Sequence, residues 1–155
     1  MRPGVFVSII RKANPGDIDE INRVILAAKR HWGYSEEWMD LFQSDLLKDA
    51  NFLIENVLNV RISDGRIVGL YSLSRDDTGL EIEDMWVLPD CMNQGHGRAL
   101  WDHLLLTAYT MDGKTIRILS DPNAEGFYLR MGAVRTGQAE SVIPGRFLPV
   151  LRFDL

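Results

Sequence analysis

The chain is expected to fold as an α+β domain, with helices set against a largely antiparallel sheet. Three features of the 155-residue sequence carry that expectation. Apolar positions run in the order strand, two helices, three strands, helix, and not in strict βαβ alternation. The strands of the middle third are separated by tight turn sequences, Asp64-Gly65 and Asp76-Asp77-Thr78-Gly79, too short for a helical crossover. Between Leu80 and Trp101 the pattern changes from a two-residue period to steps of three and four across a glycine turn, so a strand leads directly into a helix.

Taken in order, Val5, Val7 and Ile9 alternate with Phe6, Ser8 and Ile10 as a first strand ending near Arg11. Asn14-Pro15 signals a helix start, with Asn14 as N-cap, Pro15 at the first helical position and Asp17 in the first turn. Its apolar stripe is Ile18, Ile21, Val24, Ile25 and Ala28, and it ends around Lys29 to His31, ahead of Gly33. Ser35 caps a second helix that buries Trp38, Leu41, Phe42 and Leu46 and leaves Glu36, Asp40 and Lys48 outside. Leu58 to Ile62 and Arg66 to Leu73 form a hairpin about Asp64-Gly65. In the next strand, Leu80 to Val87, alternation puts Glu81, Glu83, Met85 and Val87 on one face and Leu80, Ile82, Asp84 and Trp86 on the other. Pro89 closes it. A helix then carries Ala99, Leu100, His103, Leu104 and Ala108 inward and stops at Asp112-Gly113. Thr115 to Ser120 is a fifth strand, and two more lie around Ala133 to Glu140 and Phe147 to Asp154, joined through Pro144-Gly145.

The turn Asn93-Gln94-Gly95-His96-Gly97 has chemistry of its own. The first amides of a helix lack internal partners and carry the positive end of the macrodipole, so a phosphate placed there gains hydrogen bonds and favourable charge. Gly95 and Gly97 leave room for close backbone approach, and Arg98 adds a cation just inside the helix. An ordinary glycine-bearing connection is the plainer alternative. Two familiar phosphate loops are excluded: no Gly-x4-Gly-Lys-Ser/Thr run exists, and Leu100 stands where a dinucleotide fingerprint requires glycine or alanine.

The stretch resembles motif A of the GNAT superfamily, the acyl-CoA-dependent N-acetyltransferases. Val87-Leu88-Pro89 matches the strand end, and Gly95-His96-Gly97 with Arg98-Ala99-Leu100 matches the turn and helix start. Met92 and Asn93 depart from the family's Arg/Gln and frequent Gly. The segment Asp121 to Ala133 resembles motif B through Ala124, Phe127, Tyr128 and Gly132, with Asp121 at the usual Asn position and Asn123 two residues on. The resemblance implies one GNAT domain over residues 1–155, with a mixed, mostly antiparallel sheet of six to seven strands and about four helices. It implies acetyl-CoA as cofactor, with backbone groups of Asn93, Gln94, Gly95, His96, Gly97 and Arg98 on the diphosphate, and His96 turning its side chain away. Met85, Trp86 and Val87 would hold the pantetheine arm and the oxyanion where such strands splay, and Asn123 would add a side-chain contact. The two N-terminal helices, with His31 to Tyr34 between them, fall where such proteins grip the acceptor.

Transfer of an acetyl group from a thioester to an amine needs a neutral nitrogen, a stabilised oxyanion and a proton for the departing thiolate. An alkylamine of pKa ~10.4 is only about a thousandth neutral at pH 7, so a base or a proton-accepting water is required. Glu81 and Glu83, two residues apart on a strand, are ~7 Å apart and can line one cleft. By resemblance Glu83 is the base and Glu81 its alternative; the plain reading makes both solvent-facing. Tyr128, a phenol protonated at pH 7, is the acid candidate.

Composition bounds the rest. With 46% hydrophobic residues the chain buries a core, and no apolar run approaches the ~20 residues of a membrane span. The absence of a signal-like N-terminus and the single Cys91 point to the cytoplasm. A net charge of −5 disfavours nucleic acid and suits a cationic amine on a small molecule or peptide. His31, His96 and His103 share no metal-ligand spacing, so no metal is expected, and a homodimer is the default assembly. The alternative from another class is a non-catalytic acyl-CoA-binding domain.

Overall fold

The computed structural model describes residues 7–155. The positions of Val5 and Phe6 lie outside the described residues; the first strand, β1, is Ser8–Lys12. Asn14-Pro15 opens a single 3₁₀ turn, Pro15–Asp17, where the Asn14 amide donates to the Asp17 carboxylate at 2.9 Å. Helix α1, Ile18–Arg30, follows and buries Ile21, Val24, Ile25 and Ala28. Ser35 caps α2, Glu36–Leu46, by accepting from the Trp38 amide at 3.2 Å.

Two expectations for α2 need correction. Its buried face is Met39 and Phe42, while Leu41 is half exposed, because the helix packs through Met39, Phe42 and Ile143 with Trp38 alongside. Lys48 is buried, not outside: α2 ends at Leu46, Leu47 takes extended dihedrals, and the helical wheel no longer governs Lys48. A further short helix, α3, Ala50–Glu55, is capped by Asp49, whose carboxylate accepts from the Phe52 amide at 2.9 Å.

Strands β2 (Val57–Ser63), β3 (Arg66–Asp76) and β4 (Gly79–Val87) form the antiparallel meander that the turn sequences foretold. Helix α4 is His96–Thr110, β5 is Thr115–Leu119, α5 is Glu125–Arg130, β6 is Val134–Glu140 and β7 is Phe147–Asp154. The seven strands lie in the order β1-β2-β3-β4-β5-β7-β6, all antiparallel except β4 and β5.

The sheet carries apolar clusters on both faces. Trp101, Leu100 and Leu104 of α4 pack with Tyr71, Leu73, Leu80 and Ile82, and on the other face Ile21, Val24 and Ile25 of α1 pack with Leu58, Val60 and Leu70. Each fully buried side chain of this kind stabilises by roughly 1.5–3 kcal/mol. Gly69 permits the close fit of α4 on β3, since a Cβ there would sit 2.7 Å from the Trp86 carbonyl oxygen and 2.9 Å from Leu100 Cδ1.

Strand β4 is not a simple alternation. Its register against β3 slips between Ser72↔Asp84 and Leu73↔Ile82, so Glu83 is one extra residue, a β-bulge. The bulge exchanges the faces. Leu80 and Ile82 before it, and Met85 and Val87 after it, all pack on the α4 side, whereas Trp86 packs with the α1 cluster. The expected grouping of Glu81 and Glu83 with Met85 and Val87 is therefore replaced by one in which Glu81, Glu83, Asp84 and Trp86 share the α1 face.

Candidate active site

The site begins where β4 leaves β5. These parallel neighbours pair only at Leu80↔Ile116, Glu81↔Arg117 and Ile82↔Ile118, although β4 stays paired with β3 as far as Val87↔Gly69. Beyond Ile82 the backbone edge of β4 toward β5 has no ladder partner among the described residues. A cleft of about 340 Å³ opens there, bounded by Glu83 to Val87 on one side, Leu119 to Asp121 on the other, and Tyr128 and Phe127 of α5. Asn93 and Gly97 also line it.

The loop before α4 offers backbone donors. Asn93 has φ 61° and Gly95 φ 88°, the left-handed region that glycine adopts without strain. None of the amides from Asn93 to Arg98 has an acceptor among the described residues; the first helical bond closing over the turn is Ala99 N–H to the Gly95 carbonyl at 3.1 Å. Gly97 touches Phe127, and a Cβ on it would press to 3.3 Å of that ring. The His96 side chain is buried and turned away, with Nδ1 accepting from Arg61 Nε at 3.2 Å. Arg98 is exposed and pairs with Asp102 at 3.3 Å, one helical turn on.

Tyr128 is 6% exposed, and its hydroxyl has no hydrogen-bond partner among the described residues. Burial, and then the charges of Asp84 and Asp121, push its phenol well above the ordinary range, so it stays protonated at any physiological pH. Of the two strand carboxylates, Glu83 lines the cleft and accepts from Ser74 Oγ at 2.6 Å. Glu81 is half-buried against Arg117 at 2.7 Å. Its pKa is raised by burial first and by Glu83 second, with Arg117 opposing.

Two buried carboxylates went unmarked as candidates in the sequence. Asp84 accepts from Ser72 Oγ at 2.5 Å and Trp86 Nε1 at 3.1 Å and pairs with Lys48 Nζ at 3.1 Å. Asp121 holds Lys29 Nζ at 2.6 Å, Tyr34 Oη at 3.0 Å and the Asn123 side-chain amide at 2.9 Å, with Arg146 at 3.5 Å. Its carboxyl sits below the usual range: desolvation, the largest influence, raises it, but Lys29 and the hydrogen bonds together outweigh burial. Lys29 shifts the other way for a salt-bridged ammonium, pulled down chiefly by burial. The two directions disagree on how favourable the pair is, and the four donors gathered on Asp121 decide that it is ionised at neutral pH. Asn123, expected to face a cofactor, thus spends its amide hydrogens on Asp121 and on Tyr34 Oη.

A family model described as "Acetyltransferase (GNAT) domain" matches residues 34–145. The chain belongs to the GNAT acetyltransferase family. Solved structures of other GNAT proteins share the fold at low identity. The PaiA N-acetyltransferase of Thermoplasma acidophilum, solved with coenzyme A, aligns with TM-score 0.84 at 14% identity over 96% of this chain and 99% of its own. A GCN5-related N-acetyltransferase of Rhodopseudomonas palustris aligns at 0.81 with 22% identity over 95% of each chain. The ribosomal-protein-S18-alanine N-acetyltransferase of Escherichia coli aligns at 0.71 with 15% identity over 96% and 94%. No curated protein sequence matches. Acetyl-CoA is the donor that GNAT acetyltransferases use.

Within this GNAT domain the cleft collects Glu83, Met85, Trp86, Val87, Asn93, Gly97, Asn123 and Tyr128 from the expected set. Glu81, Gln94, Gly95, His96 and Arg98 do not line it, although the loop amides stand at its end. Asp84, Asp121 and the exposed Arg130 are additions. Among the described residues no helix is long and apolar enough to cross a membrane.

Proposed function

We propose that the protein transfers an acetyl group from acetyl-CoA to a primary amine by direct attack within a ternary complex. The observation that carries this reading is the splay of β4 from β5, which sets unpaired backbone, the loop amides and the Tyr128 hydroxyl around one cleft. The loop from Asn93 to Arg98 fits a diphosphate, because its amides are unclaimed and Gly95 and Gly97 keep side chains out of the approach. Arg130, exposed on the lining, adds a cation to the cleft. Free β4 amides between Met85 and Val87 suit a carbonyl oxygen and an extended amide-bearing chain.

Glu83, at the bulge and in the cleft, is the base we favour for the incoming ammonium, directly or through a water. Glu81 is the alternative, with a raised pKa but tied to Arg117. Tyr128 supplies a proton or hydrogen bond to the departing sulfur; its elevated pKa makes it a donor that never ionises in the resting protein. Glu83 has no cationic partner among the described residues, whereas Asp84 and Asp121 are neutralised by lysines, so Glu83 is the charge on this wall that favours a cationic amine over an anionic one. Names such as ribosomal-protein-S18-alanine N-acetyltransferase and nourseothricin acetyltransferase among structures of this fold support both peptide and small-molecule acceptors. The lone thiol Cys91 suits a cytoplasmic setting.

A thiol-release assay with acetyl-CoA and a panel of cationic amines tests the proposal. Turnover with at least one amine, lost on Glu83→Gln and retained on Glu81→Gln, is expected. Tight coenzyme A binding without turnover on any amine would leave an acyl-CoA-binding domain in its place.

A further inference from the structure

Behind the loop that precedes α4, on the side of β2 and β3, lies a second cavity of about 320 Å³. It is lined by Arg61 and Ser63 of β2, Ser8 of β1, the hairpin residues Asp64 and Arg66, and His96. Its lining is mostly charged and polar side chains, whereas the main cleft carries many apolar ones. Nothing in acetyl transfer calls on it.

Arg61 is out of keeping with the other sheltered cations of the molecule. Lys29 is paired with Asp121, Lys48 with Asp84, Arg146 with Asp121 and Arg11 with Asp17. Arg61, half-buried on β2, has no carboxylate partner among the described residues. Among the described residues its one side-chain hydrogen bond goes from Nε to the neutral acceptor His96 Nδ1, and the four Nη hydrogens have no acceptor there. Burial alone lowers its pKa, with no compensating carboxylate, and both burial and the Arg61 charge keep His96 below its ordinary value and so neutral. Sheltering a charge without a counter-charge is unfavourable, so an arginine in this condition on a cavity wall is suited to receiving an anion.

The neighbouring groups suit an oxyanion. Ser8 Oγ donates to Ser63 Oγ at 3.0 Å, which leaves the Ser63 hydroxyl hydrogen free to donate. Arg66 stands at the mouth, held to Asp90 at 3.2 Å. Asp64 is the one carboxylate of the lining; it is exposed at the hairpin tip and makes no ion pair with Arg61 among the described residues.

We propose that this rear cavity is a second, non-catalytic site for a phosphate-class oxyanion, gripped by the Arg61 guanidinium with the Ser63 hydroxyl. A tetrahedral ion with several acceptor oxygens can take the guanidinium fork and a hydroxyl together. His96 links it to the proposed cofactor loop, since its imidazole holds Arg61 and its residue begins α4. The site does not depend on the acetyl-transfer reading, and its test reads binding, not turnover.

The probe is inorganic phosphate, followed by the Arg61 Nε–H resonance in nitrogen-15 NMR of the full chain. A saturable shift with a midpoint on the order of 1 mM is expected. Arg61→Gln, followed at the Ser63 and His96 amides, should weaken phosphate at least about tenfold, and Arg61→Lys should restore part of the affinity. Coenzyme A and its 3′-dephospho form, titrated separately, distinguish the source: a rear-site shift that needs the 3′-phosphate assigns the group to the cofactor, and none assigns it to a free ligand. No saturable phosphate shift in the wild type, or equal affinity in a folded Arg61→Gln variant, would overturn the proposal.

Discussion

The two ends of the main cleft are built on different principles. Where the α4 loop closes it, the unclaimed groups are backbone amides from Asn93 to Arg98, and the side chains there are small or point elsewhere. Toward α1 and α2, the working groups are side chains: Asp84 and Asp121, each clamped by a lysine from a distant segment. A backbone site depends on local sequence, and a clamp of side chains depends on the whole fold. The first end should therefore tolerate change in most side chains but not in its glycines, and the second should be sensitive to each charge.

Removing one clamp should have the largest effect. Lys48→Met leaves Asp84 buried with its hydroxyl and indole donors but no cation, since both partners are almost wholly enclosed, at 6% and 1% side-chain exposure. Stability should fall by about 3–5 kcal/mol, seen as a lowered midpoint in chemical denaturation. Lys29→Met should cost clearly less, because Arg146 remains 3.5 Å from Asp121 and Tyr34 still donates. Equal losses from the two substitutions would break the distinction between a singly and a doubly neutralised carboxylate.

Next in size is Tyr128→Phe, which should lower kcat by about 10²-fold, or ~2.7 kcal/mol, with coenzyme A affinity little changed. Steady-state kinetics beside calorimetry checks this, and an unchanged kcat would remove the phenol from the chemistry. At the backbone end, Gly97→Val should weaken coenzyme A about tenfold while acceptor KM holds, because any Cβ presses on Phe127 and the cofactor approach. A change confined to acceptor KM would contradict the division of the cleft into two ends.

The smallest effect is a pH dependence. The Asp121 carboxyl is depressed in the folded protein, so its contribution to stability is complete above the unfolded value of about 4 and is lost as pH falls through the lower folded value. Asp121→Asn should therefore flatten the acid side of the stability curve while lowering the neutral plateau. An unaltered acid slope would mean that Asp121 does not titrate there.

The same contrast explains what could be read from the chain before its structure. The meander followed from Asp64-Gly65 and Asp76 to Gly79, and the α4 loop from Gly95 and Gly97, because turns and helix starts are set by neighbouring residues. The bulge at Glu83 was missed, although strict alternation carried its own warning: it put Asp84 among Leu80 and Ile82 on an apolar face. One inserted residue relieves that conflict and sets Glu83 and Asp84 side by side. The Lys29–Asp121 pair joins residues 92 positions apart, and Lys48 and Asp84 meet only because α2 ends before Lys48. No local pattern encodes such meetings. Asn123 illustrates the same limit in part, since its side-chain amide is drawn to the Asp121 carboxylate two residues before it and to the hydroxyl of Tyr34, 89 positions away in the link between α1 and α2.

Amide chemical-shift mapping during a coenzyme A titration tests the central claim most directly. Saturable shifts concentrated at residues 93 to 98, with a second group at Met85 to Val87, are the predicted result. Absence of saturation, or shifts gathered away from the opening between β4 and β5, would contradict it.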